Sequence, residues 1–292
     1  MAARGAAATP PEQIRLIASD IDGTILHPDN SISARTVAAF HAARAAGIEI
    51  VFVTGRPFRW LTPVQQAFGH LGTVICSNGA LVYDLEAERI LESRTLDAAT
   101  VEEVRARVLA VEPETRFAAE TAGGLYLEPG FVDPAETALL DGVVPAELPL
   151  DRLESEGTVK LLAKLNTTTS DAFRAAVYPR VQELVSVTHS APGVALLEMS
   201  RRDVNKAVAL ERYAAGLGVG RREVVAFGDM PNDLEMLSWA GWGCAMGSGH
   251  RLAKEAAAAV TGTLEDDGVA EMIEHLLAAT AGERTVREAR TP

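Results

Sequence analysis

Apolar residues gather in short unbroken runs along the first third of the chain, and small or polar residues follow each run. Runs at 14–19, 48–53 and 73–77 predict strands, while helical periodicity at 34–46, closed by Gly47, and at about 57–68 predicts the helices between them. Continuous rather than alternating apolar strands predict a parallel sheet covered on both faces. The pattern returns late, with helices at 206–217, 232–239 and 251–258 and strands at 224–227, 243–246 and 259–261. The middle, from about 83 to 196, reads differently. A helix at 98–110 precedes strands at 115–119 and 124–128; a strand at 159–165 follows, then a helix at 170–183 and strands at 184–189 and 194–199. Helix–strand–strand, twice, predicts an α+β insert with an antiparallel sheet. Its Pro- and acid-rich connection, 129–157, reads as a surface excursion or a substrate loop.

Length fits this division. At 292 residues the chain has room for about two domains, expected as a first core part at 1–83, an insert at 84–196 and a second core part at 197–292. The apolar runs stop well short of a membrane span. The opening "MAARGAAATPPEQ" lacks the apolar centre of a leader, and it and the closing "AGERTVREARTP" are expected to be short tails. Two widely separated cysteines, Cys76 and Cys244, suit reduced buried thiols in a cytoplasmic protein, and the six histidines show no metal-ligand spacing. A formal net charge of -13 argues against nucleic-acid or anionic-membrane partners. Any phosphate site must therefore build its positive field locally, from a metal, a lysine and backbone N–H groups.

The chemistry sits where the strands end. In open parallel sheets, ligands bind beyond the carboxyl ends of the strands. After the first strand come Asp20, Ile21, Asp22, Gly23 and Thr24; after the second, Thr54, Gly55 and Arg56; after the third, Asn78 and Gly79; after the late strand at 224–227, Asp229, Asn232 and Asp233. Each piece alone has a plainer reading: "DIDGT" as a turn, "GDMPND" as a helix start, Asn78-Gly79 as a hairpin turn, Lys206 as a solvated helix residue. Jointly they place four acids with hydroxyl, amide and glycine groups on one edge, a setting for a hard cation with oxygen ligands such as Mg²⁺.

The motifs "DIDGTIL", "FVTGRP", "SNGALVYD", Lys206 in "DVNKAVAL" and "GDMPNDLEMLSWAGWGCAMG" resemble those of the haloacid dehalogenase superfamily, in its Cof-like group with a class IIB cap. That resemblance implies an α/β fold: a Rossmann-like parallel-sheet core with an inserted α+β cap. It also implies a Mg²⁺-dependent phosphatase acting on a small phosphorylated metabolite, a sugar phosphate or similar monoester. Asp20 would be the nucleophile and Asp22 the general acid and base. Ile21 and Gly55 (through their backbone), Thr54, Lys206 and Asn232 would hold phosphate. Asp20, the Asp22 carbonyl and Asp229 would hold the metal, with Asp233 orienting its shell. The chain departs from the family pattern at Ala207, where Gly is common, and at Ser248 and Gly249, where an Asn-Ala pair is common. The competing readings are a phosphomutase on the same scaffold and a non-catalytic phosphosugar-binding module. Asp22 has no use in mere binding, and a phosphorylated receiver would not need the insert.

Overall fold

The strand that carries the first acidic motif is buried at all four positions, as a strand with helices on both faces must be. The computed structural model describes residues 10–132, 146–147, 150, 157–188 and 194–288. It opens with β1 (Leu16–Ser19), α1 (Ala34–Ala45), β2 (Glu49–Val53), α2 (Thr62–Phe68), β3 (Thr73–Cys76), β4 (Leu81–Asp84) and β5 (Arg89–Ser93). The helix expected at about 57–68 is one 3-10 turn, Phe58–Trp60, followed by α2, whose first turn accommodates Pro63.

The middle contributes α3 (Ala98–Val111), β6 (Arg116–Glu120), β7 (Leu125–Leu127), β8 (Ala146–Glu147), β9 (Lys160–Lys164), α4 (Ser170–Val181), β10 (Val185–Thr188) and β11 (Leu196–Arg201). The chain then returns through α5 (Lys206–Gly216), β12 (Val224–Gly228), α6 (Leu234–Trp239), β13 (Trp242–Ala245), α7 (Arg251–Ala256), β14 (Ala259–Val260) and α8 (Gly268–Glu288). No helix among the described residues is long and apolar enough to cross a membrane. Cys76 and Cys244 are both buried, and no disulfide joins them.

Two compact units result: residues 1–91 with 205–292, and residues 92–204. In the first, the sheet order is β14-β13-β12-β1-β2-β3-β4-β5. Pairing is parallel from β14 to β3, and β4 returns antiparallel. Alternate residues divide the two faces. Leu16, Ala18, Val51, Val53 and Ala226 pack with Leu210 and Ala214 of α5 and Met236 of α6. Phe52 points the other way, its ring centroid 5.4 Å from Phe40 of α1 and 4.8 Å from Phe68 of α2. Each fully buried Phe is worth ~1.5–3 kcal/mol over exposure, so this cluster fixes α1 and α2 on that face.

Backbone approaches closest on the α6 side. A Cβ on Gly243 of β13 would stand 2.1 Å from the Leu237 carbonyl oxygen of α6, a backbone atom with nowhere to retreat. Gly243→Ala is expected to push α6 off the sheet and to cost about 1–3 kcal/mol as an overpacked core does. A lowered denaturant midpoint would register it; an unchanged midpoint would show that α6 yields freely.

The second unit has the sheet order β10-β11-β9-β6-β7-β8. Helix–strand–strand does occur twice, as α3-β6-β7 and α4-β10-β11. One face carries Phe117, Ala119, Leu161, Ala163, Leu197 and Met199 against Val104 and Val108 of α3 and Phe173 and Val177 of α4. The sheet is antiparallel except at its edge, where β8, absent from the sequence reading, pairs parallel with β7.

Three expectations change. The second unit begins at Glu92 and ends at Val204, eight residues later at each end than expected. The Asp84 carboxylate accepts the N–H groups of Glu86 and Ala87, turning the chain from β4 into β5, so this stretch stays with the core. At the far end β11 runs on to Arg201, where Asp203 ties Arg201 to Arg94 by ion pairs of 2.8 and 2.7 Å. The closing segment, expected as a tail from Ala281, is helical to Glu288 as part of α8. Its residues are largely good helix formers. The opening nine residues and most of the 129–157 connection lie outside the described residues.

Candidate active site

Parallel register brings the acids together. Ser19 of β1 lies opposite Phe227 of β12, so the residues just past both strands emerge side by side. The Asp20 N–H still donates to the Phe227 carbonyl, at 2.9 Å, extending the ladder one residue into the site. The Ile21 carbonyl then accepts the N–H groups of Ile25 and Leu26, at 3.0 and 2.9 Å, which folds the chain into a tight turn around the buried Ile21. On that turn Gly23 has φ +77°, and a Cβ there would stand 2.5 Å from Asp229 Oδ2. Only glycine admits both the backbone and the neighbour.

Lys206 arrives from the second half of the chain. Asn205 caps α5 by accepting the Val208 N–H at 2.8 Å, which fixes Lys206 as the first helical residue. Gly79 has φ +109°, and a Cβ on it would stand 2.6 Å from the Asn205 carbonyl oxygen, so the Ser77-Asn78-Gly79 turn can lie directly beneath that helix start. Lys206 is 1% exposed and donates to Asp20 Oδ1 at 2.5 Å and Asp233 Oδ1 at 2.6 Å. Burial opposes its charge, but the two carboxylates outweigh burial and raise its pKa.

Asp233 also works on its own loop. Its Oδ2 accepts the N–H groups of Asp229 and Met230, at 3.0 and 2.9 Å. Carboxylate oxygens of Asp20, Asp229 and Asp233 all lie within 4.8 Å of one another. Thr24 Oγ1 stands 3.3 Å from Asp20 Oδ2 and 3.2 Å from Asp229 Oδ1, with one proton to give. Burial first, and then the charge of Asp233, lifts Asp229 to about 6, against the opposing pull of Thr24 and Lys206. Asp20 is raised well above the ordinary carboxylate range, chiefly by burial, although Lys206 pulls it back. One buried ammonium among three crowded acids leaves negative charge uncompensated, and hard oxygen donors at this spacing suit a divalent cation. The residues present thus fit a divalent metal.

The phosphate candidates form a second group. Thr54 is fully buried at the end of β2, its N–H bonded to the Ile75 carbonyl at 2.8 Å and its Oγ1 accepting the Arg56 N–H at 3.0 Å. Asn78, in the left-handed region with φ 55°, donates its N–H to the Thr54 carbonyl at 2.9 Å and accepts from Asn232 Nδ2 at 3.3 Å. A Cβ on Gly55 would stand 3.4 Å from Asn78 Oδ1. Asn78 therefore links the Thr54-Gly55 turn to Asn232, a role invisible in a dipeptide that also reads as a hairpin turn. It is both, since Cys76 pairs with Leu81 across it. Among the departures, Ala207 is buried behind Lys206, and Gly249 stands where a Cβ would come within 2.9 Å of the Asp229 carbonyl oxygen.

Asp22 stands apart. Its side chain is 51% exposed, it does not join the three acids, and it is gripped by Arg56, with Nε at 2.9 Å from both carboxylate oxygens and Nη2 at 2.7 Å from Oδ1. Thr24, Asn78 and Arg56 are the site residues that the sequence reading left without a role.

Comparison with known proteins agrees with this geometry. The family model of haloacid dehalogenase-like hydrolases matches residues 17–273. The chain is 30% identical over 266 residues to the 5-amino-6-(5-phospho-D-ribitylamino)uracil phosphatase YitU of Bacillus subtilis, covering 88% of this chain and 96% of that protein. It is 27% identical over 277 residues to the pyridoxal phosphate phosphatase YbhA of Escherichia coli, covering 90% and 99%. The fold is shared with the HAD subclass IIB sugar phosphatase BT4131, at a TM-score of 0.75 and 21% identity over 90% of this chain and 98% of that one. The chain belongs to the haloacid dehalogenase-like hydrolases, as a phosphoric monoester hydrolase.

Proposed function

We propose that this hydrolase removes phosphate from a small phosphorylated metabolite, a sugar phosphate or similar monoester, with Mg²⁺ bound and through a phosphorylated Asp20. The observation that carries the reading is the buried Asp20 carboxylate held by Lys206 at 2.5 Å beside Asp229 and Asp233. Asp20, Asp229 and the backbone carbonyl of Asp22 would hold the Mg²⁺, which supplies charge neutralisation for the phosphate and the crowded acids. Asp233 acts one step back, because both its oxygens already accept hydrogen bonds.

Lys206 orients Asp20 and, together with the charge a bound metal would add, favours its ionised form against the burial that raises its pKa, so that an Asp20 oxygen can attack phosphorus. The bond from phosphorus to the leaving oxygen breaks as Asp22 protonates that oxygen. Asp22, now a base, takes a proton from water, whose oxygen displaces Asp20 and releases inorganic phosphate. Thr54, the Ile21 and Gly55 backbone, Lys206 and Asn232 hold the phosphoryl oxygens.

Phosphate release from p-nitrophenyl phosphate and a panel of phosphometabolites tests this. Exhaustive chelation is expected to stop turnover, because it leaves the acids mutually repelling around the phosphate, and Mg²⁺ is expected to restore it. Full activity in the chelated enzyme would remove the metal from the mechanism. No phosphate release from any substrate with Mg²⁺ present would remove the function.

A further inference from the structure

Arg56 makes more contacts than an exposed ion pair requires. Its guanidinium meets Asp22 through Nε and Nη2, while Nη2 also reaches Asn30 Oδ1 at 3.3 Å and Nη1 reaches the Trp60 carbonyl at 3.4 Å. Its main chain is fixed as well, by the Arg56 N–H to Thr54 Oγ1 at 3.0 Å and by the Arg56 carbonyl, which accepts the Ser77 N–H at 2.9 Å. The Arg56 side chain is 17% exposed, against 51% for Asp22. A half-exposed Asp on a turn would otherwise sample its staggered rotamers freely. Here a rigid planar fork, itself held by Asn30 and Trp60, selects one placement.

We propose that Arg56 is a positioning residue for Asp22, docking its carboxylate on the outer side of the pocket so that poorly departing alkoxides can be protonated. The inference rests on the role given to Asp22 above. In an in-line displacement the nucleophile and the leaving oxygen lie on opposite sides of phosphorus. A proton donor for the leaving oxygen therefore belongs apart from Asp20, and Asp22 is held apart from the acids around it. Arg56 makes no hydrogen bond with Asp20, Lys206, Asp229 or Asp233 among those observed.

The test is a double-mutant cycle read with two leaving groups. Arg56→Met is expected to slow hydrolysis of an alkyl phosphate such as glycerol phosphate roughly tenfold to a hundredfold, as a misplaced catalytic group does, and to slow p-nitrophenyl phosphate by less than about threefold. Asp22→Asn with Arg56→Met should be no slower on the alkyl phosphate than Asp22→Asn alone, because Arg56 acts through a group already removed. Arg56→Lys keeps the charge without the fork and should follow Arg56→Met. It also serves as the working variant if Arg56→Met does not fold. Equal losses on both substrates, or a full Arg56 effect in the Asp22→Asn background, would overturn the proposal and assign Arg56 to phosphate binding or loop structure. If Asp22→Asn alone slowed both substrates equally, the role of Asp22 itself would fall, a result distinct from failure of the dock.

Discussion

Asp20→Asn is expected to abolish hydrolysis whatever the leaving group, whereas Asp22→Asn should separate good leaving groups from poor ones. Asp20→Asn removes the attacking oxygen and one charge from a cluster built around it, with Lys206 at 2.5 Å and Thr24 at 3.3 Å. Loss of a covalent nucleophile costs roughly 10⁴–10⁶ in rate, and nothing in the pocket replaces it. Asp22→Asn leaves attack and the backbone carbonyl intact and deletes the proton donor. A sugar phosphate, whose alkoxide leaves badly unprotonated, should lose roughly 10²–10⁴. A nitrophenolate leaves without help, so its first step should survive, and phosphorylated Asp20 should accumulate because water lacks its base. Rapid-quench mass spectrometry of Asp22→Asn with p-nitrophenyl phosphate should find the adduct on the peptide carrying Asp20. Equal losses in both variants for both leaving groups, with no adduct in either, would end the division of labour.

What was legible in the sequence follows from how parallel sheets work. Strands such as "LIAS" and "VVAFG", apolar at nearly every position, announce burial on both faces, and parallel register then forces the residues after them to one edge. That is why Asp20, Asp22, Asp229 and Asp233 could be grouped from the strand pattern, although only three of them cluster and Asp22 stands apart; Lys206, 186 residues from Asp20, was legible only through the family resemblance. Less visible were contacts that depend on side-chain reach. Arg56 meets Asp22 across 34 residues, with Asn30 at φ 63° turning an amide toward the same guanidinium, and no local pattern encodes that meeting. The boundaries of the insert were blurred for a related reason. "LVYDLEAERILES" mixes a buried strand with the exposed alternation of β5, and only the Asp84 turn shows that both belong to one hairpin. Asn78 was legible as a turn and illegible as the link between Thr54 and Asn232, because its backbone makes the first and its side chain helps make the second.

Lys206→Met should destabilise the metal-free protein strongly, beyond its effect on turnover. The substitution keeps an unbranched side chain of similar length but withdraws the ammonium that faces Asp20 and Asp233. Both carboxylates are buried, Asp233 completely, so each loses a counter-charge that water does not replace. Removing one partner from a buried ion pair typically costs about 3–5 kcal/mol, since the remaining charge bears its desolvation penalty alone. Urea unfolding of the chelated protein should show that loss as a lower midpoint at unchanged slope. A second substitution separates charge from packing. Asp20→Asn in the Lys206→Met background removes one stranded charge without changing side-chain size, and should recover part of the stability although each change alone abolishes turnover. A double variant no more stable than Lys206→Met would mean that the methionine is paying for lost packing rather than for stranded charge. An unshifted midpoint in Lys206→Met itself would mean that the three acids tolerate one another without the lysine, and that its place in the fold is set by catalysis alone.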